Sequence, residues 1–85
     1  MYSIDFAPKA RKQFLRLDPP IRHRLAERMA QLAEWPETGL DVRPLKGRRA
    51  GEYRLRVGQY RVIFVVDEES RRILLREIGH RGSIY

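Results

Sequence analysis

A β-hairpin is predicted for residues 53–66, which read YRLRVGQYRVIFVV. Apolar and charged residues alternate on both sides of the central Gly-Gln pair, and this period of two is typical of strands with one buried face. A two-residue loop that begins with Gly is typical of a type II′ turn. In that register Val57 pairs with Tyr60, and Arg56 lies directly opposite Arg61.

Three arginines, Arg54, Arg56 and Arg61, are expected to share one face of this hairpin, while the apolar side chains share the other. Buried, unpaired guanidinium groups are very costly, so this face cannot be core. Like charges directly opposite each other in a sheet repel, and Glu52 is the only acidic residue near these strands on that face. The pattern favours a bound anion, either a phosphate backbone or an acidic protein partner, over an ordinary solvated strand face.

The charge balance of the whole chain points the same way. There are 18 Lys and Arg against 11 Asp and Glu, a net charge of +7 with a pI near 10.6.

With 85 residues the chain is expected to form a single domain, residues 1–85. It has no Cys and only two His, so we expect no disulfide, no thiolate nucleophile, no metal site and no cofactor. No apolar run reaches the roughly 18 residues of a spanning helix, and we expect a cytoplasmic protein.

The order of predicted elements indicates an α+β fold. A helical hairpin is expected to pack on one face of an antiparallel sheet, in the order β-α-α-β-β-β. The predicted elements are a strand at residues 2–6, a helix at about 8–17, a second helix from the N-cap Asp18 to about Trp35, a connection at 36–51 with a brief extended piece at 42–45, the hairpin, and a last strand at 73–78.

The C-terminal residues add side chains that RNA cleavage could use. Gly79 would let the chain leave the sheet and fold across its face. His80 could accept or donate a proton, Arg81 could stabilise developing negative charge, and Tyr85 could stack on a base. Taken singly, a His at a strand end is more often a surface residue, and a terminal Tyr a packing lid.

Other basic residues fall into two groups. Those of the two helices, among them Arg24 and Arg28, are interpreted as keeping the helices solvated. Those of the connection before the hairpin are predicted to form a rim that binds phosphates nonspecifically: Arg43, Lys46, Arg48 and Arg49.

The run RPLKGRRAGEYRLRVGQYRVIFVVDEE, followed by IGHRGSIY, resembles the RelE/ParE superfamily of toxins from bacterial toxin–antitoxin systems, and its RelE branch in particular. The resemblance extends from YSIDFAPKARKQFLRL at the start to the final Tyr85. It implies a RelE-like fold, a ribosome-dependent endoribonuclease that cuts mRNA in the ribosomal A site, and a cognate antitoxin that covers the basic face.

The resemblance also implies roles for single residues. Arg54 and Arg61 would hold the phosphate and stabilise the transition state, Arg81 would assist the leaving group, and Tyr85 would stack on or orient the substrate. Some relatives have lysine where this chain has Arg54 and Arg56. Because arginine keeps its proton, a base role for Arg56 is disfavoured, and our hypothesis assigns proton acceptance to His80.

Two other functions are compatible with the same sequence. A ParE-like toxin would inhibit DNA gyrase by binding it, without nuclease activity. A binding module without catalysis would use the arginines only to dock the antitoxin. The His-Arg…Tyr ending favours the nuclease.

Overall fold

The computed structural model describes residues 1–80 and confirms the α+β class. The elements are β1 (Ser3–Phe6), α1 (Pro8–Leu15), α2 (Pro19–Gln31), β2 (Val42–Pro44), β3 (Tyr53–Val57), β4 (Tyr60–Asp67) and β5 (Arg72–His80), with short 3-10 turns at Leu32–Glu34 and Gly47–Arg49. The brief extended piece predicted in the connection is β2. Among the described residues, neither helix combines the length and the apolar character that crossing a membrane requires.

The five strands form one sheet in the order β1-β5-β4-β3-β2. Strands β2 to β5 are antiparallel to their neighbours, as predicted, but β1 lies parallel to β5, with Ile4 opposite Ile73. The expectation of an antiparallel sheet is thus confirmed for β2 to β5 and wrong for β1. Parallel neighbours need a long crossover, and here almost the whole chain separates the two strands, so local patterns carry no signal of their pairing.

The hydrophobic core lies between the sheet and the helical hairpin. From α2, Leu25 and Met29 are at most 3% exposed, and they meet sheet residues such as Leu55 and Phe64, which are fully buried. Trp35, just beyond the 3-10 turn that extends α2, packs edge-on against Phe64 with ring centroids 6.0 Å apart. The apolar face of the predicted hairpin thus forms the floor of the core, and its charged face points away from the helices.

Prolines begin both helices, at the first positions where their missing N–H costs least. Asp18 lies at the N-cap of α2 with extended backbone, but its side chain makes no capping hydrogen bond, contrary to the prediction. Arg22 ties α2 to the preceding turn and to the end of α1, because its Nη1 donates to the carbonyl oxygens of Leu17 at 3.3 Å and Leu15 at 3.5 Å.

The turn between β4 and β5 is organised by Asp67. Its Oδ1 accepts hydrogen bonds from the backbone N–H groups of Glu69 at 3.1 Å and Ser70 at 3.3 Å. Hydrogen bonding from the Ser70 side chain, followed by these backbone groups, lowers the pKa of the Asp67 carboxyl below its ordinary value of 3.8.

Candidate active site

The hairpin has the register that the sequence predicts. Val57 pairs with Tyr60, and Arg56 lies directly opposite Arg61. Gly58 has a φ of 59° and is followed by a residue outside the positive-φ region, as in a type II′ turn. A Gly at this position is what allows the two strands to meet in so short a loop, and the loop fixes which arginines face each other.

We use the term basic face for Arg54, Arg56 and Arg61, which lie on the side of the sheet away from the helices. Arg56 is exposed and Arg61 is half-buried. Neither forms an ion pair with an acidic residue within residues 1–80, and Nη1 of Arg61 is buried without a hydrogen-bond partner there. On β5, the residue opposite Arg61 is Gly79, which has no side chain to cover the guanidinium group.

Arg54, by contrast, is held by a carboxylate. Its Nη2 donates to Oδ1 of Asp41 at 3.1 Å, and its side chain is only 15% exposed. Its Nε remains buried without a partner in the described part of the chain, and the exposed Arg43 of β2 lies directly opposite. Asp41 is not part of the hairpin strands, on which Glu52 was the only acidic candidate; it reaches the face from the connection, and its carbonyl oxygen accepts a hydrogen bond from the backbone N–H of Arg56.

Arg49 hydrogen-bonds to two glutamates, Glu52 and Glu77. Its Nε donates to Oε1 of Glu52 at 2.8 Å, and its Nη2 donates to Oε1 of Glu77 on β5 at 2.9 Å. Lys9 of α1 approaches the same Glu77 oxygen at 3.4 Å. Arg49 therefore ties the connection to the sheet, while the other predicted rim residues are exposed: Arg43, Lys46 and Arg48.

His80 does not join the basic face. It pairs with Tyr60 across β4 and β5, and the two rings meet edge-on with centroids 5.2 Å apart. Tyr60 packs on the core side of the sheet, opposite to the side on which Arg61 lies. Because neighbouring residues of a strand point to opposite faces, the expectation that His80 would stand beside the arginines was wrong. The predicted roles of Arg81 and Tyr85 fall outside the described residues.

The structure adds two arginines that were not predicted to belong to the site. Arg24 and Arg28, one turn apart on α2, line a pocket of about 190 Å³ together with Arg56. Their four-residue spacing puts them on one face of the helix, a signal that was available in the sequence. What the sequence could not show is that this face meets the β3–β4 turn.

Comparisons with known proteins agree with this architecture. Residues 4–85 match the family model described as the ParE toxin of type II toxin–antitoxin systems. Toxin RelG of Mycobacterium tuberculosis is 30% identical over 86 residues, covering 99% of this chain and 95% of that protein. The toxin–antitoxin complex RelBE2 of M. tuberculosis contains a chain that superposes with a TM-score of 0.83 at 27% identity, covering 94% of this chain and 98% of the other.

An archaeal RelE–RelB complex from Pyrococcus horikoshii gives a TM-score of 0.77 at 28% identity, with coverage of 96% and 97%. The match to the family model spans nearly the whole chain, and the strands that carry the basic face lie within it. The chain therefore belongs to the ParE toxin family of the RelE/ParE superfamily and is a toxin of a type II toxin–antitoxin system.

Proposed function

We propose that this toxin is a ribosome-dependent endoribonuclease that cuts mRNA and so stops translation, and that a cognate antitoxin neutralises it. Some of its structural relatives were crystallised as toxin–antitoxin complexes, which supports the antitoxin as partner. The proposed RNA site is the basic face, together with the predicted contributions of Arg81 and Tyr85. No metal or cofactor takes part in the proposed reaction.

The observation that carries the proposal is the direct opposition of Arg56 and Arg61. Two cations in this position repel each other in the free protein. A phosphate beside the two groups offsets this repulsion, because guanidinium groups bind phosphate oxygens with paired N–H donors.

The proposed reaction is a transesterification within the RNA. The ribose 2′-oxygen attacks the adjacent phosphorus, the bond from phosphorus to the 5′-oxygen breaks, and the products are a 2′,3′-cyclic phosphate and a 5′-hydroxyl. Arg56 and Arg61 stabilise the extra negative charge on the phosphorane oxygens. Arg54, already neutralised in part by Asp41, positions the phosphate.

Proton transfer is the step for which the basic face offers no group. Arginine does not release its proton at working pH, and His80 faces the other side of the sheet. Catalysis then depends on holding the 2′-oxygen in line with the bond that breaks, an effect that can contribute about 7–11 kcal/mol. This is why we expect cleavage to require the ribosome, which would orient the mRNA. We accordingly expect a His80→Ala toxin to cut ribosome-bound mRNA at nearly the wild-type rate. A severe loss of cleavage would instead indicate that His80 takes part in proton transfer.

A second candidate is inhibition of DNA gyrase by binding, since the matching family model is described as the ParE toxin. A basic face suits an acidic protein partner as well as it suits RNA. The two candidates differ in what happens to mRNA and in what happens to DNA supercoiling.

The test is primer extension on a defined mRNA in a translation extract, with and without ribosomes. The wild-type toxin is expected to leave new 5′-ends within ribosome-bound codons, and Arg61→Met is expected to lose this activity. Arg72→Met is the matched control, because Arg72 lies on the same side of the sheet but is paired with Asp5 at 3.1 Å. Intact mRNA combined with loss of gyrase supercoiling would favour the second candidate.

A further inference from the structure

Arg24, Arg28 and Arg56 surround a small pocket where α2 passes over the turn between β3 and β4. The other lining residues come from the connection and from the turn: Gly39, Leu40, Asp41, Val57 and Gly58. The pocket holds about 190 Å³, less than the roughly 300–1,000 Å³ of sites for drug-sized ligands. Its size and lining suit a single small charged group.

The charges in this pocket are strongly unbalanced. Among the described residues Asp41 is the only acidic one that lines the pocket, and its carboxylate is already engaged by Arg54. None of the three pocket arginines forms an ion pair with a described residue. Three like charges are thus brought together by two separate elements of the fold, and an anion in the pocket would offset their repulsion.

Close packing at the turn sets the position of one of these groups. A Cβ added at Gly58 would lie 2.9 Å from Nη2 of Arg24, so the guanidinium group rests directly against the glycine backbone. The absence of a side chain at Gly58 therefore opens the space that Arg24 occupies. This Gly serves the pocket as well as the turn.

Arg56 belongs to both the pocket and the basic face. Its backbone is in β3 opposite Arg61, while its long side chain also borders the pocket beside α2. Asp41, just before β2, lies at the boundary between the two sites, and its negative charge is offset in part by Arg54. An RNA backbone on the basic face can continue over this edge of the sheet toward α2.

We propose that the pocket of Arg24, Arg28 and Arg56 is a second phosphate subsite, which holds a backbone phosphate of the RNA that occupies the basic face. The inference rests on the proposed function, since it assumes an RNA ligand. Arg24 and Arg28 anchor the strand and fix its direction across the sheet, and these two arginines take no part in bond cleavage. RNA is favoured over an acidic protein segment because Arg56 makes the two basic sites contiguous, and a nucleic-acid strand presents regularly spaced phosphates to such a continuous basic surface.

The test compares Arg24→Gln/Arg28→Gln with Arg11→Gln/Lys12→Gln, which removes the same charge from α1, outside the pocket; all four side chains are exposed. Binding of each toxin to a single-stranded RNA with 2′-O-methyl groups, which cannot be cleaved, is measured over a range of salt concentrations. The pocket variant is expected to bind about tenfold more weakly. Its plot of log affinity against log salt should be shallower by about 0.7, the contribution of one phosphate on a single strand. The control should keep the wild-type slope.

A slope equal to that of the control would overturn the proposal. So would unchanged RNA binding combined with weaker binding of the cognate antitoxin, because the pocket would then serve the protein partner. The readout does not depend on catalysis. If the wild-type toxin failed to cut mRNA on ribosomes, the proposed function would fall, and the binding slopes would still decide whether the pocket holds a phosphate.

Discussion

Replacing Arg61 with Met is expected to stabilise the folded toxin while abolishing cleavage. The side chain lies opposite Arg56, and its buried Nη1 has no hydrogen-bond partner within residues 1–80. Met keeps an unbranched apolar stem of similar length on the sheet but removes both the charge and the unmade hydrogen bond. The native residue is thus expected to lower stability in exchange for a function that needs positive charge.

The size of the effect follows from two contributions. Directly opposed side chains begin about 5 Å apart, a separation at which two unit charges repel by about 0.8 kcal/mol in water. Leaving a buried donor unsatisfied costs about 1–3 kcal/mol, and only one of the guanidinium donors of Arg61 is in that state. Together they give an expected gain of about 2–4 kcal/mol, which would raise Tm by roughly 4–8 °C per kcal/mol for a domain of this size.

Urea unfolding at low salt measures this gain, provided that the m value stays constant. Arg72→Met is the matched control, since it breaks the exposed pair with Asp5 and is expected to cost less than about 1 kcal/mol. At about 1 M salt the repulsive part of the gain should disappear, because the Debye length is then about 3 Å. An Arg61→Met midpoint at or below that of the wild type at low salt would refute the reasoning.

Three further outcomes are expected. Gly58→Ala should destabilise the toxin by about 1–2 kcal/mol in thermal unfolding, because φ at this position is 59°. Asp41→Asn should cost about 1–2 kcal/mol in urea, since it removes the charged partner of the largely buried Arg54. Asp67→Asn should lower stability at neutral pH but not below the folded-state pKa of Asp67. The lowered pKa stabilises the fold only while the carboxylate is ionised, and its hydrogen bonds from Ser70 are lost as pH falls through that pKa.

Each of these outcomes has a neighbouring control. Gln59→Ala changes the other turn residue, which does not need a positive φ, and should be nearly neutral. Asp5→Asn breaks a pair in which both side chains are more than half exposed, and it should cost less than Asp41→Asn. For Asp67, the gap between variant and wild type should close on acidification, and a gap independent of pH would contradict the assignment.

Local patterns were sufficient to predict the hairpin, because the Gly-Gln loop and the alternation of side chains set its register together. The same patterns failed wherever a contact depended on distant chain segments. Asp41 and Arg54 are 13 residues apart, and nothing in either segment alone indicates that they meet. The pairing of β1 with β5 is more distant still.

The position of His80 shows how one irregularity changes a prediction. The buried apolar residues of β5 include Leu75 and then Ile78, a spacing of three that breaks the alternation. The structure has a β-bulge there: Ile63 pairs with Glu77, and Phe64 pairs with Leu75. The bulge turns Glu77 to the side of the basic face and, further along, His80 to the core side. The break in spacing was visible in the sequence, but its location within the strand was not.

The sheet also has a bearing on how this toxin behaves once it is released from its antitoxin. Its most apolar strand, β4, is central, and within residues 1–80 both outer strands are short: β1 has four residues and β2 has three. The latter carries a cation at Arg43 and ends at a proline, features that discourage another chain from adding on. A liberated molecule is thus equipped to resist edge-to-edge self-association and to stay dispersed until it reaches its target.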